Sequence, residues 1–259
     1  MTPHVEQGDP DGVPVILLHG LSDSHRSYEP VLEHLPHEIR AFALTTRGHG
    51  DADRPADGYD PSTLAADVAA FMDEKGLGEA VVVGHSAGTY TAQQLAVEHP
   101  GRVAGLMLIG AVRSGPELAA LLEMSRYDYT DPIDPAFVRE FQESTLRLPV
   151  PPEYLEMVVA ESLKLPAHVW QAAVRGLVDH VAPTARGPIG APTLLLWGEL
   201  DEICPREDQE RLGETIPAEL IVYAGSGHAP HWERPEQAAG DIAAFSLRAP
   251  LRPRSAVAR

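Results

Sequence analysis

The chain has a single cysteine, Cys204, in 259 residues. One thiol rules out an internal disulfide and any cysteine-rich metal cluster. Lysine is nearly as scarce: Lys75 and Lys164 are the only two, so arginine carries almost all the positive charge. Twenty basic residues against 38 acidic ones give a formal charge of −18, and a field of that sign opposes binding to nucleic acid or to anionic membrane surfaces. No apolar run approaches the roughly 18 residues that cross a bilayer. The first residues, Met1-Thr2-Pro3-His4-Val5-Glu6, have neither the basic start nor the apolar stretch of a secretory signal, so a cytoplasmic location is expected. Internal repeats are absent.

What is present is the material for one large core. Hydrophobic residues make up 44% of the chain, and the length suits a single α/β domain rather than two enzymatic domains with a linker. Strand-length apolar runs recur at Val15–Leu18, Ala41–Leu44, Ala80–Val83, Val103–Ile109, Thr193–Trp197 and Leu220–Tyr223. They are nearly continuous rather than alternating, the pattern of strands buried on both faces of a parallel sheet. Helical patterns lie between them: one from an N-cap at Ser62 to Gly76, one from Ser86 to Glu98, one from Pro235 to Leu247. The expected fold is α/β, a doubly wound, mostly parallel sheet with helices on both faces.

The alternation breaks between Ile109 and Thr193, an interval too long for a loop in a compact domain. It holds four helical candidates, Glu117–Met124, Pro135–Thr145, Pro152–Leu163 and Ala167–Asp179, separated by proline-rich breaks. The reading is an all-helical insertion over the strand ends. Residues 1–111 and 187–246 then form the core, 112–186 a helical cap, and 247–259, with four arginines after Leu247, a flexible tail.

Chemistry enters at Gly84-His85-Ser86-Ala87-Gly88, which follows the run Ala80–Val83 and opens a helix. A strand, a turn and a helix with serine at the apex make a nucleophile elbow, whose tight backbone approach requires small residues at both flanks. A serine hydroxyl needs a positioned base, and the base needs an orienting carboxylate. Loops beyond two further strand ends supply both: Gly198-Glu199-Leu200-Asp201 follows Thr193–Trp197, and Ala224-Gly225-Ser226-Gly227-His228 follows Leu220–Tyr223. The base is His228, and the acid is Glu199 or Asp201. The order serine, acid, histidine is the one that accompanies a nucleophile elbow.

Five segments in this order, His19-Gly20-Leu21, Arg47-Gly48-His49-Gly50, Gly84–Gly88, Trp197-Gly198-Glu199-Leu200-Asp201 and Gly227-His228 with Glu233-Arg234-Pro235 after it, resemble the α/β-hydrolase family. The resemblance runs from about Val13 to Phe245. It implies Ser86 as nucleophile, Asp201 rather than Glu199 as the acid, and His228 as the base. It also implies an oxyanion hole built from the backbone N–H groups of Leu21 and Ala87, the latter at the positive end of a helix. Residue 86 being serine sets the chain apart from family members that use an aspartate nucleophile, the haloalkane dehalogenases and epoxide hydrolases. Two departures stand out: Asp51, where the family often has a small hydroxyl residue, and an N-terminus with room for one strand before Val13.

The implied reaction is acyl transfer to water, with a small-molecule ester or lactone as substrate and no cofactor. Ser22, Tyr127, Phe137, Leu148 and Trp170 are candidates for the substrate pocket. His85 is expected to pack or hydrogen-bond the elbow and His49 to stabilise its loop, while Lys164 is read as part of a solvated helix face. His228 and His231 form an H-x-x-H without a further ligand pattern, so no metal is expected. The scaffold also leaves open a non-hydrolytic activity (perhydrolase, lyase or synthase) or a slow-turnover ligand receptor. The protein is expected to act as a monomer or homodimer.

Overall fold

The computed structural model describes residues 2–216 and 218–251. Seven strands form one sheet in the order β1-β3-β2-β4-β5-β6-β7: β1 (His4–Gln7), β2 (Val13–Leu18), β3 (Ile39–Leu44), β4 (Ala80–His85), β5 (Val103–Ile109), β6 (Thr193–Gly198) and β7 (Ala218–Tyr223). Every neighbouring pair is parallel except β1 with β3. The short N-terminal segment thus supplies the single strand for which it has room.

Alternate residues of each central strand feed two cores. Ile16, Leu18, Val82, Leu106 and Leu108 face the helices Pro61–Glu74, Ala87–Glu98 and Arg206–Thr215. Val15, Leu17, Val81, Val83, Met107 and Ile109 face Tyr28, Val31 and the helix Pro235–Ser246. With both faces covered, β4, β5 and β6 are buried along their whole length and β2 along all but its first residue, hence the continuous apolar runs.

The helix Pro61–Glu74 starts before the expected cap. Asp60 is its N-cap: its carboxylate accepts from the Thr63 N–H at 3.0 Å, and Pro61 takes the first helical position. Proline is suited there because its missing N–H would have no helical partner. Ser62 instead donates to Glu98 Oε1 at 2.9 Å, tying this helix to its neighbour.

Between β5 and β6 the chain leaves the sheet and builds the cap from the helices Ala119–Met124, Pro135–Ser144, Pro152–Ser162 and Ala167–Val178. The first opens through a 3-10 turn, Gly115–Glu117, rather than as one continuous helix. The cap has its own core, in which Trp170, Tyr129, Ile133, Val138, Val159 and Val174 are buried. At the C-terminal end, Ala249 packs against the sheet core, so the expected tail is anchored at its start; residues 252–259 lie outside the described residues. No helix among the described residues is long and apolar enough to cross a membrane.

The direction in which successive strands are added to the sheet reverses at β2. The strand after it, β3, lies on one side, and β4 lies on the other. At such a switch point the loops leaving adjacent strands diverge and open a crevice at the carboxyl ends. The loops after β2 and β4 are those that carry Leu21 and Ser86.

Candidate active site

Ser86 adopts φ 49° and ψ −119°, a conformation outside the usual regions for a side-chain-bearing residue. Such strain costs on the order of 1–3 kcal/mol and persists only where the surroundings enforce it. Here the enforcement is visible. The Ser86 N–H donates to the Ile109 carbonyl at 3.0 Å, and the Ser86 carbonyl accepts from the Thr89 N–H at 2.8 Å. A Cβ on Gly84 would lie 2.5 Å from the Gly88 carbonyl oxygen, and one on Gly88 would lie 2.5 Å from the carbonyl oxygens of Leu18 and His19. Only glycine allows the two turns of backbone to come so close.

Beyond β6, the Asp201 carboxylate is buried and fully engaged. Its Oδ1 accepts from the N–H groups of Ile203 and Cys204 at 2.8 and 2.9 Å. Its Oδ2 accepts from His228 Nδ1 at 2.8 Å. That bond fixes the imidazole tautomer, with the proton on Nδ1 and a lone pair on Nε2. His228 Nε2 finds no hydrogen-bond partner among the described residues. An unpaired, buried basic nitrogen is costly unless something in the working cycle uses it. Glu199 is exposed and accepts from the Gly225 N–H at 2.9 Å, whereas the carboxylate bonded to His228 is that of Asp201.

Several groups hold this constellation together. His85 donates from Nε2 to the His228 carbonyl at 3.1 Å, joining the elbow to the histidine loop. Glu233, to which no role fell from the sequence, accepts from Gly227 N–H with one oxygen and from the N–H groups of Arg147 and Leu148 with the other. It thereby staples the histidine loop to the cap. His49 is buried and donates to the Arg47 carbonyl at 2.9 Å, holding its loop as expected. Lys164 is exposed just past the helix Pro152–Ser162, the solvated position expected of it, and it also pairs with Glu161 at 2.8 Å and with Asp51 at 3.0 Å, which gives the unusual Asp51 a partner.

A cavity of about 460 Å³ lies between the cap and the strand ends. Ser86, Ala87, Leu21 and His228 line its floor, and Tyr127 and Phe137, stacked at 4.6 Å, line it from the cap. The other three pocket candidates stand elsewhere. Trp170 is fully buried, stacked on Tyr129 inside the cap core. Leu148 follows the Glu233 staple with its backbone, away from the lining. Ser22 is fully buried behind the loop, its hydroxyl 3.0 Å from Ser162 Oγ. Composition identified apolar cap residues but not the direction each one faces.

Among the lining residues to which the sequence assigned no role are Asp23 and Gln142. Asp23 is buried, and burial pushes its pKa up from the ordinary carboxylate value to about 7, against the hydrogen bond from Gln142 Nε2 at 3.0 Å. Burial also keeps the neighbouring imidazoles neutral. His85 is held well below its ordinary value and His231 is lowered to about 3.

Asp201, Cys204 and His228 bring potential ligand atoms within 4.8 Å of one another. The donor chemistry does not suit a cation. The imidazole and carboxylate already share a proton at 2.8 Å, and burial pushes the Cys204 thiol up, away from the thiolate that binds metal. His231 is not part of this group.

Residues 15–241 match the model of the Alpha/beta hydrolase family. The chain belongs to that family. Among its alpha/beta hydrolase relatives is the AB hydrolase superfamily protein YisY of Bacillus subtilis, 29% identical over 250 residues that span 91% of this chain and 92% of YisY. Lipase LipV of Mycobacterium tuberculosis is 31% identical over 208 residues, 74% of this chain and 77% of LipV. Of solved structures, the esterase EaEST from Exiguobacterium antarcticum superposes with a TM-score of 0.82 at 25% identity, covering 95% of this chain and 94% of EaEST.

Proposed function

We propose that the protein is a serine hydrolase that cleaves a small to medium carboxylic ester or lactone through an acyl-enzyme on Ser86. The observation that carries this reading is the Asp201–His228 hydrogen bond of 2.8 Å, which leaves His228 Nε2 unpaired beside the cavity that Ser86 also lines. In this reading Ser86 Oγ attacks the carbonyl carbon as its proton passes to His228 Nε2. Asp201 stabilises the imidazolium that forms. The tetrahedral oxyanion accepts from the N–H groups of Ala87 and Leu21, the first at the start of a helix. Collapse expels the alcohol, which takes the proton from Nε2. Water then repeats the sequence against the acyl group and frees Ser86.

Support for the substrate class comes from the walls. Val112, Leu118, Leu121, Phe137 and Leu177 make most of the lining apolar, and none of the lining residues is lysine or arginine. Such a pocket suits an uncharged acyl group better than a carboxylate-bearing one. The similarity to a lipase and an esterase points the same way. Within this reading residues 112–186 set the acyl preference and the enzyme works in the cytoplasm, where its lone cysteine suits reducing conditions.

A fluorophosphonate probe should label the wild-type protein, and Ser86→Ala should abolish both labelling and turnover across a panel of acyl-graded esters and lactones. Asp201→Asn should lower turnover by several orders of magnitude, as loss of the orienting acid does elsewhere, with Glu199→Gln near wild type. Labelling that survives Ser86→Ala rejects the reading, and so does labelling without sustained turnover of any substrate in the panel.

A further inference from the structure

Among the described residues only two non-glycine residues have positive φ, Ser86 and Ser22. The strain at Ser86 belongs to the elbow. Ser22 is not part of the elbow. It sits at the third position of a turn that the Asp23 N–H closes onto the Gly20 carbonyl at 3.3 Å, with φ 67°. A positive φ at that position is ordinarily supplied by glycine. The residue before it, Leu21, lies on the cavity floor.

The cap supplies what the backbone lacks. Gln142, on the cap helix Pro135–Ser144, places Nε2 3.2 Å from Ser22 Oγ, 3.0 Å from Asp23 Oδ1 and 2.8 Å from Ser162 Oγ, its two N–H groups shared among the three acceptors. The Ser22 hydroxyl donates to Ser162 Oγ at 3.0 Å, and Ser162, on the helix Pro152–Ser162, donates onward to the Val158 carbonyl at 3.0 Å. Ser22, Gln142 and Ser162 are all essentially inaccessible to solvent, so these bonds are not exchanged with water and losing one leaves a buried polar group unpaired. Both helices belong to the cap, and both Ser22 and Asp23 belong to the loop after β2.

We propose that Gln142 and Ser162 are positioning residues: the docked cap clamps Ser22 in the left-handed region and so holds the Leu21 N–H in its oxyanion-binding position. The inference rests on the reading of Leu21 as an oxyanion donor. If Ser22 relaxed to negative φ, the Leu21–Ser22 peptide would rotate, the turn closed by Asp23 N–H on the Gly20 carbonyl would open, and the Gly20–Leu21 peptide that carries the Leu21 N–H would shift with it. The cap then acts on the chemical step as well as on substrate choice, because the same helix that presents Phe137 to the cavity holds the turn beneath it.

The test compares Gln142→Leu and Ser162→Ala, each alone and each combined with Ser22→Gly, using a p-nitrophenyl ester and a boronic acid as transition-state analogue. Each single variant should lower kcat by roughly tenfold to a hundredfold, less than or equal to the loss of a whole oxyanion donor. Boronic acid affinity should fall in step, with KM within about threefold of wild type, because the interaction lost is one made in the transition state. Adding Ser22→Gly should restore most of the lost kcat, since glycine takes φ near +67° without steric cost. A rise in KM at unchanged kcat, or a loss of kcat that Ser22→Gly does not recover, overturns the clamp. Ser162→Ala removes only a hydroxyl and carries the comparison by itself if Gln142→Leu fails to fold. Fluorophosphonate labelling of wild-type Ser86 separates the two levels: without it the hydrolase reading falls and the clamp with it, whereas labelling together with indifferent clamp variants overturns the clamp alone.

Discussion

Asp23 is the residue whose surroundings fit its chemistry least. Its carboxyl is buried in the cavity wall with a neutral amide, Gln142, as its hydrogen-bond donor, and its pKa of about 7 follows from desolvation. In the unfolded chain the same group titrates near 3.8. Between those values the folded protein binds the extra proton, so stability is fully present below pH 3.8, falls as pH rises, and levels off above about 7. The cost once ionised is roughly 4 kcal/mol. Asp23→Asn should therefore be more stable than wild type at pH 8 and nearly equal to it at pH 4, a difference that urea unfolding at the two pH values measures directly. A gap that does not grow with pH would place the high pKa elsewhere.

At the scale of elements, the strands were legible because burial on both faces writes itself as unbroken apolar runs, and each of the six expected runs lies within a strand. The cap helices were legible for a different reason: prolines bracket them, as at Pro135, Pro152 and the Pro166 that precedes Ala167. The helix Arg206–Thr215 escaped notice because Leu212 and Gln209 are its only buried residues, too few to show a stripe. Of the site, Ser86, Asp201 and His228 stood at strand ends with motif spacing, whereas Gln142, Glu233 and Asp23 act through contacts across 85 to 120 residues, which no local pattern records. Nor does composition reveal facing. Trp170 and Phe137 looked alike in sequence, yet one is sealed in the cap core and the other lines the cavity. Truncating each should separate them: Trp170→Ala should cost about 3–5 kcal/mol in denaturant unfolding, and Phe137→Ala should shift the preferred acyl length with a smaller loss. Equal effects on acyl preference would contradict this division.

For the whole molecule, buried imidazoles set the acid limit. His19, His49, His85 and His231 are all buried, with pKa values pushed down by desolvation, His49 to about 4 and His231 to about 3. A depressed value means that the unfolded chain binds more protons below about pH 6.5, so the stability these groups contribute is lost as pH falls from there toward 3. Four such groups outweigh the opposite slope of Asp23. Thermal unfolding should shift steeply downward between pH 6 and pH 4, and replacing His231 with a neutral isostere such as glutamine should soften that slope if it folds; a flat profile through this range would exclude the account.

The same sealing has a consequence for handling the protein. Cys204 is the only thiol, wholly inaccessible beside the Asp201 turn, and its side chain resists ionisation. Two intact molecules have no accessible thiol through which a disulfide could join them under oxidising storage. A disulfide-linked dimer on a non-reducing gel therefore records that the turn carrying Asp201 has opened in both partners, so ageing leaves a chemical trace that begins at that turn.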